Sequence, residues 1–128
     1  MQIGDTFLWN EGGHLWVVIS DPSTHAGEFI AVNLTKDEFR AGKECELAPG
    51  DHQWIREKTF VSFGDAMRYA PKNALNLEKQ IALGTMKRHY PMKHSVLQKI
   101  IAAAKVSKAI PVSFIELLEP YSLSRNSN

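Results

Sequence analysis

A chain of 128 residues, 44% hydrophobic and 23% charged, is sized and composed for one folded domain with its own core. A formal net charge of +1 excludes the overall basic field of a strong duplex-DNA binder, and a single cysteine, Cys45, excludes an intrachain disulfide and a cysteine-rich zinc site. No apolar run approaches the roughly 20 residues of a membrane helix, and the start "MQIGDTFLWNEGG" lacks a signal peptide's pattern, so no membrane association and a cytoplasmic location are expected.

In chain order, "GDTFLWN" has strand composition and "HLWVVIS" is β-branched and aromatic enough for a buried strand, with the glycines of "NEGG" between them signalling a hairpin. "SDPSTHAGE" is a turn-rich connection and "FIAVNLT" a third strand, so the first third of the chain reads as an antiparallel meander. "KDEFRAGKECELAPGDHQWIREK" is longer and polar, with a short strand expected at 44–47. "TFVSFGDAMRYA" reads as strand with a bulge or turn at Gly64-Asp65.

After Pro71 the character changes. "NALNLEKQIALG" predicts a helix ended by Gly84. "KHSVLQKIIAAAKVS" predicts the clearest one, because Leu97, Ile100, Ile101 and Ala104 recur at helical spacing. "VSFIELLEP" after Pro111 fits a short helix or a strand. Strands followed by helices make the fold class α+β: a small, curved antiparallel sheet, partly closed as a barrel, with C-terminal helices after about residue 72. One domain is expected over 1–120, with 121–128 a disordered tail.

Charge is uneven. Between Lys72 and Lys108 the chain carries Lys72, Lys79, Lys87, Arg88, Lys93, Lys99, Lys105 and Lys108 against Glu78, which suits either a solvated helix surface or a phosphate-facing patch.

Five histidines invite a metal, but His89 and His94 are not at the i, i+4 spacing of a zincin and no HExxH is present, so neither metal nor other cofactor is expected. Ser20, Ser62 and Ser113 lie in no hydrolase motif. The densest chemistry lies in "CELAPGDHQWIREK". There Asp51 and His52 follow a Pro-Gly turn, and a loop imidazole is the usual proton carrier near neutral pH. The same residues also fit an Asx-type turn with His52 at the surface and Trp54 in the core.

Thr35 and Lys36 close the third strand, Arg56 and Lys58 add cations, and Asp65 and Arg68 follow. A base, a cation and a hydroxyl on one rim would meet the needs of metal-free RNA cleavage: removal of the 2′-OH proton, stabilisation of the phosphorane-like transition state and protonation of the leaving oxygen.

"GDTFLW", "GGHLWVVISDP" and "FIAVNLT" together resemble the opening of the PemK/MazF-like toxins of bacterial toxin-antitoxin systems, over about the first 35 residues. The resemblance implies an SH3-like β-barrel, often a homodimer, that cleaves single-stranded RNA without metal and is held by an antitoxin protein. It places the family's catalytic threonine on Thr35 and its Gly-His turn on His14, while the family's arginine position carries Leu15. Two readings follow: a toxin-like endoribonuclease using His52, Thr35, Lys36 and Lys58, with Asp51, Arg56, Asp65, Arg68 and His14 as binding residues, or a non-catalytic SH3-like module that binds nucleic acid or a protein.

Overall fold

A computed structural model describes residues 1–9 and 13–118. Residues 10–12, on which the first hairpin turn was expected, and the tail at 121–128 lie outside the described residues. Among the described residues, six strands form one antiparallel sheet: β1 (Thr6–Trp9), β2 (Trp16–Val18), β3 (Phe29–Thr35), β4 (Glu46–Leu47), β5 (Thr59–Tyr69) and β6 (Met86–His89). Their order across the sheet is β4-β5-β3-β2-β1-β6. The fold class is therefore α+β as read from sequence, whereas the hydrogen-bonded ladder is open, with β4 and β6 at its edges and no pairing that closes it into a barrel.

The described residues also form four helices: α1 (Glu38–Ala41), α2 (Pro71–Leu83), α3 (His94–Val106) and α4 (Val112–Ile115), the last running into a 3-10 turn at Glu116–Leu118. The segment left open between helix and strand is thus helical. β6 was not expected, since "MKRH" has neither β-branched residues nor alternation to announce a strand.

β3 is buried along its whole length because both of its faces are covered. Ile30, Val32 and Leu34 point into one core with Leu15, Val17 and Ile19, and α3 lays Val96, Leu97, Ile100, Ile101 and Ala104 into the same cluster. Phe29 and Ala31 point the other way, into a smaller core with Phe7, Val18 and Met86 that α2 reaches through Leu77. The alternation of strand side chains thus sorts one short sequence between two helical layers.

β5 pairs with β3 at both ends, but its register shifts between Ala31 and Asn33, where the sequence places Gly64 and Asp65. The strand continues through that irregularity instead of stopping there.

The long connection into β5 is latched to the rest of the molecule by polar contacts. Lys93 and Lys99 on and before α3 donate to the carbonyls of Gly50 and Glu46. Arg88 is held by Asp5 and Glu78. Much of the basic second half is therefore engaged within the fold.

Candidate functional site

The loop that carries Asp51 and His52 is a turn built around their side chains. Asp51 accepts a hydrogen bond from the Ala48 amide at 2.8 Å, and Gly50 supplies the positive φ of 99° that the turn needs. The His52 ring is buried, at 4% exposure. Its Nδ1 accepts from the Trp54 amide at 3.0 Å, and its Nε2–H donates to the Tyr90 carbonyl at 2.6 Å. Both nitrogens are thereby occupied, and the Tyr90 carbonyl also accepts from the Thr6 hydroxyl at 2.6 Å. The ring is therefore buried and not at the surface, with a protein partner on each nitrogen, and it ties the loop to the start of the β6–α3 connection.

Thr35 is likewise buried and hydrogen-bonded within the fold. It is 4% exposed, and its hydroxyl accepts from the Asp37 amide at 3.1 Å, while Asp37 caps α1 through the amides of Phe39 and Arg40. Leu15, where the resemblance would place an arginine, is fully buried in the larger core. A cation is therefore not supplied from that position.

Other expected residues converge. Lys36 and Arg56 line a concavity of about 390 Å³ together with Gln53, Trp54, Thr59 and His89. Lys36 leans on Glu57 at 3.4 Å, but both groups are about two-thirds exposed, so the pair is worth less than about 1 kcal/mol and leaves the lysine free to exchange partners. Arg56 is exposed and pairs with no carboxylate among the described residues. Trp54 is half-buried, its apolar body packed against the larger core. Lys58 is exposed on the same loop but does not line the concavity.

His89 is the member that sequence reasoning missed, having been weighed only as a metal ligand. It sits at the end of β6 with its ring centroid 5.2 Å from that of His52. Partial burial, the neighbouring His52 ring and Lys87 push its pKa below the ordinary 6.5, so the neutral form is favoured in the free protein. Its Nδ1 accepts from the Tyr90 amide at 3.1 Å, which assigns the proton of the neutral ring to Nε2. The signal available in the sequence was weak: a histidine beside two cations, on a strand that the pattern did not announce.

The remaining expected residues lie elsewhere. Asp65 accepts from the Ser62 hydroxyl at 2.7 Å and from Arg40 at 3.1 Å. The Ser62 hydrogen bond, outweighing partial burial and helped by Arg40, holds its carboxyl below the usual 3.8, with His14 adding to the positive surroundings. His14 donates from Nδ1 to the Leu34 carbonyl at 3.0 Å. Arg68 is ion-paired with Glu28 next to the Phe29–Tyr69 end of the β3–β5 ladder. Thr35 lies at the opposite end, six residues and about 20 Å away along the strand. The single rim expected from sequence is thus divided: a cationic, aromatic pocket at the Lys36–Arg56 end, an Asp65 cluster, and a separate Arg68 pair.

No group of three or more His, Cys, Asp or Glu side chains is arranged to hold a metal ion among the described residues, and no helix there is long and apolar enough to cross a membrane. Compared with protein-family profiles, curated proteins and solved structures, the chain matches none.

Proposed function

We propose that the protein binds single-stranded RNA, with a backbone phosphate seated in the Lys36–Arg56–His89 pocket, as a divergent PemK/MazF-like member whose sheet is an opened SH3-like barrel. The observation that carries this reading is the pocket itself: two exposed cations, an imidazole and an indole line one concavity. Cations that follow a phosphate and an aromatic face on which a base stacks are the two components of single-strand recognition. The opening motifs and the register-shifted pairing of β5 with β3 support the family reading. That reading brings with it a homodimer and an antitoxin partner as proposals of the same standing.

Binding is tested with a labelled single-stranded RNA followed by fluorescence anisotropy over a salt series. Arg56→Ala is expected to weaken binding and to reduce the slope of log affinity against log salt by about 1. Wild-type protein with no measurable RNA affinity would sink the reading.

Metal-free endoribonuclease activity is a second reading, favoured by His89 alone. A neutral imidazole next to two cations has the makings of a proton-transfer group facing a phosphate, although its Nδ1 contact must be released before it accepts a proton. Incubation of long single-stranded RNA in excess EDTA separates the readings. Fragments ending in 2′,3′-cyclic phosphate, lost in His89→Ala and retained in Lys58→Ala, establish catalysis at this pocket. Intact RNA alongside measurable binding leaves the binding module.

A further inference from the structure

The smaller core opens at the surface into a second concavity, of about 270 Å³, between the sheet and α2. Trp9, Trp16 and Tyr69 supply its aromatic walls, and Asn73, Asn76 and Gln80 supply its polar one. Among the described residues, no charged side chain lines it.

The aromatic walls are held in place from behind. Trp16 stacks on Phe7 with centroids 6.4 Å apart and planes 7° from parallel. Tyr69 stacks on Phe29 at 4.9 Å and meets Phe7 edge-on at 6.3 Å. Trp9 is different: 48% of it is exposed, an indole face left to solvent beside a preformed apolar floor.

The three amides fall at i, i+3 and i+7 on α2, which is one face of the helix, and buried Leu77 anchors that face to the core. Their side chains make no hydrogen bond to another described residue. Each primary amide offers donors and an acceptor side by side, the pattern that matches the heteroatom edge of a nucleobase. A volume just under the usual range of small-molecule sites suits one planar ring system, and the uncharged lining suits a neutral one.

The position of this concavity relates it to the phosphate pocket. Met86 lines the first and His89 the second, three residues apart on β6, or about 10 Å. β6 is an edge strand, so no further strand separates the two concavities on its outer side. Exposed Lys87 and Arg88 lie between them, Arg88 already engaged by Asp5 and Glu78.

We propose that the aromatic–amide concavity seats one unpaired base of the same RNA strand whose phosphate occupies the Lys36–Arg56 pocket, the strand passing over the outer edge of β6. This rests on the RNA reading above and assigns a recognition element to it. Base identity would be read by the amides of α2, and affinity supplied by stacking on Trp9.

The test is anisotropy of labelled adenine, cytosine, guanine and uracil homo-oligoribonucleotides with wild type, Trp9→Ala, Asn76→Ala and Arg56→Ala, plus competition by free nucleosides. Trp9 and Asn76 are exposed, so both variants are expected to keep the wild-type melting curve. Removing one stacking platform should weaken binding by roughly 5- to 150-fold with an unchanged salt slope, because no charge is lost. Asn76→Ala should change the ranking among the four oligomers, an effect that general loss of stability would not produce.

Wild-type affinity in both Trp9→Ala and Asn76→Ala, with Arg56→Ala impaired, overturns the base pocket while the RNA reading survives. Nucleosides bound at this pocket by a protein with no affinity for any oligomer overturn the strand as the source of the base, and the RNA reading with it. No binding of either overturns both.

Discussion

His52 shows how fully the fold can engage both nitrogens of an imidazole. Its two ring nitrogens join the Trp54 amide of its own loop to the Tyr90 carbonyl, 38 residues away, inside a site that is almost free of solvent. Replacing it by alanine leaves the Trp54 amide without its partner, while the Tyr90 carbonyl keeps the Thr6 hydroxyl; an unpaired buried group costs about 1–3 kcal/mol, so His52→Ala is expected to lose roughly 1–3 kcal/mol in urea unfolding. A stability equal to wild type would refute the structural role. Cys45 is silent for a related reason. Burial, opposed by Lys99 and reinforced by Asp51, raises its thiol to a pKa of about 11, so the nucleophilic thiolate is scarce at neutral pH. Iodoacetamide should therefore label the unfolded chain and spare the native one. At Asp65 the sign is opposite. The folded state holds the carboxyl below 3.8, so the contribution is present above that value and lost as pH falls through the depressed one. The group is partly exposed and solvent screens it, so Asp65→Asn should cost no more than about 1 kcal/mol near pH 7, a difference that closes in acid.

Among the elements, α2 and β6 matter most, because between them they frame the second concavity and link it to the first. α2 ends at Gly84, whose φ of 85° lies in the left-handed region and whose amide returns to the carbonyls of Gln80 and Ile81. A Cβ at this position would meet nothing within 4 Å, so the cost of Gly84→Ala is conformational alone, about 1 kcal/mol. A thermal melt reads that cost directly, and no loss would mean that the αL cap is dispensable. The reverse turn it allows delivers β6 to the sheet edge beside β1, with Thr6 opposite His89 and Trp9 opposite Met86. One glycine thus sets the register that carries His89 to one concavity and Met86 to the other. α3 plays the complementary part: Ile100 is fully buried against the larger core, while the nearby Lys93 and Lys99 fasten the 45–58 connection.

For the whole molecule, the consequential property is the separation of the two helical layers by a sheet whose central strand is buried on both faces. The helices cover the apolar faces, and each of the two concavities takes one residue from the edge strand β6, Met86 in one and His89 in the other. The proposed phosphate pocket should also respond to pH as a unit. His89 prefers to be neutral in the free protein, whereas a bound phosphate favours the imidazolium, so binding takes up a proton. RNA affinity is therefore expected to rise as pH falls from 7 through the depressed His89 value below 6.5, and then to level off. His89→Ala should flatten that profile, and an unchanged profile would remove His89 from the interface.

Much of this was determined by the sequence itself. The apolar, β-branched run of "FIAVNLT", the 97–100–101–104 stripe and the glycines at chain reversals follow from the periods and dihedral limits of local backbone, so the strands of the meander and both long helices were legible. β6 was not, because its stability comes from pairing with β1 and not from its own composition. Nor was the division of the polar residues. Asp51 and His52 are adjacent in sequence and Lys36 and His89 are 53 apart, yet the fold turns the first two to structural work and brings the second two to one pocket. Proximity along a chain fixes turns and caps, whereas proximity across a sheet depends on strand order and register, which only the tertiary structure decides.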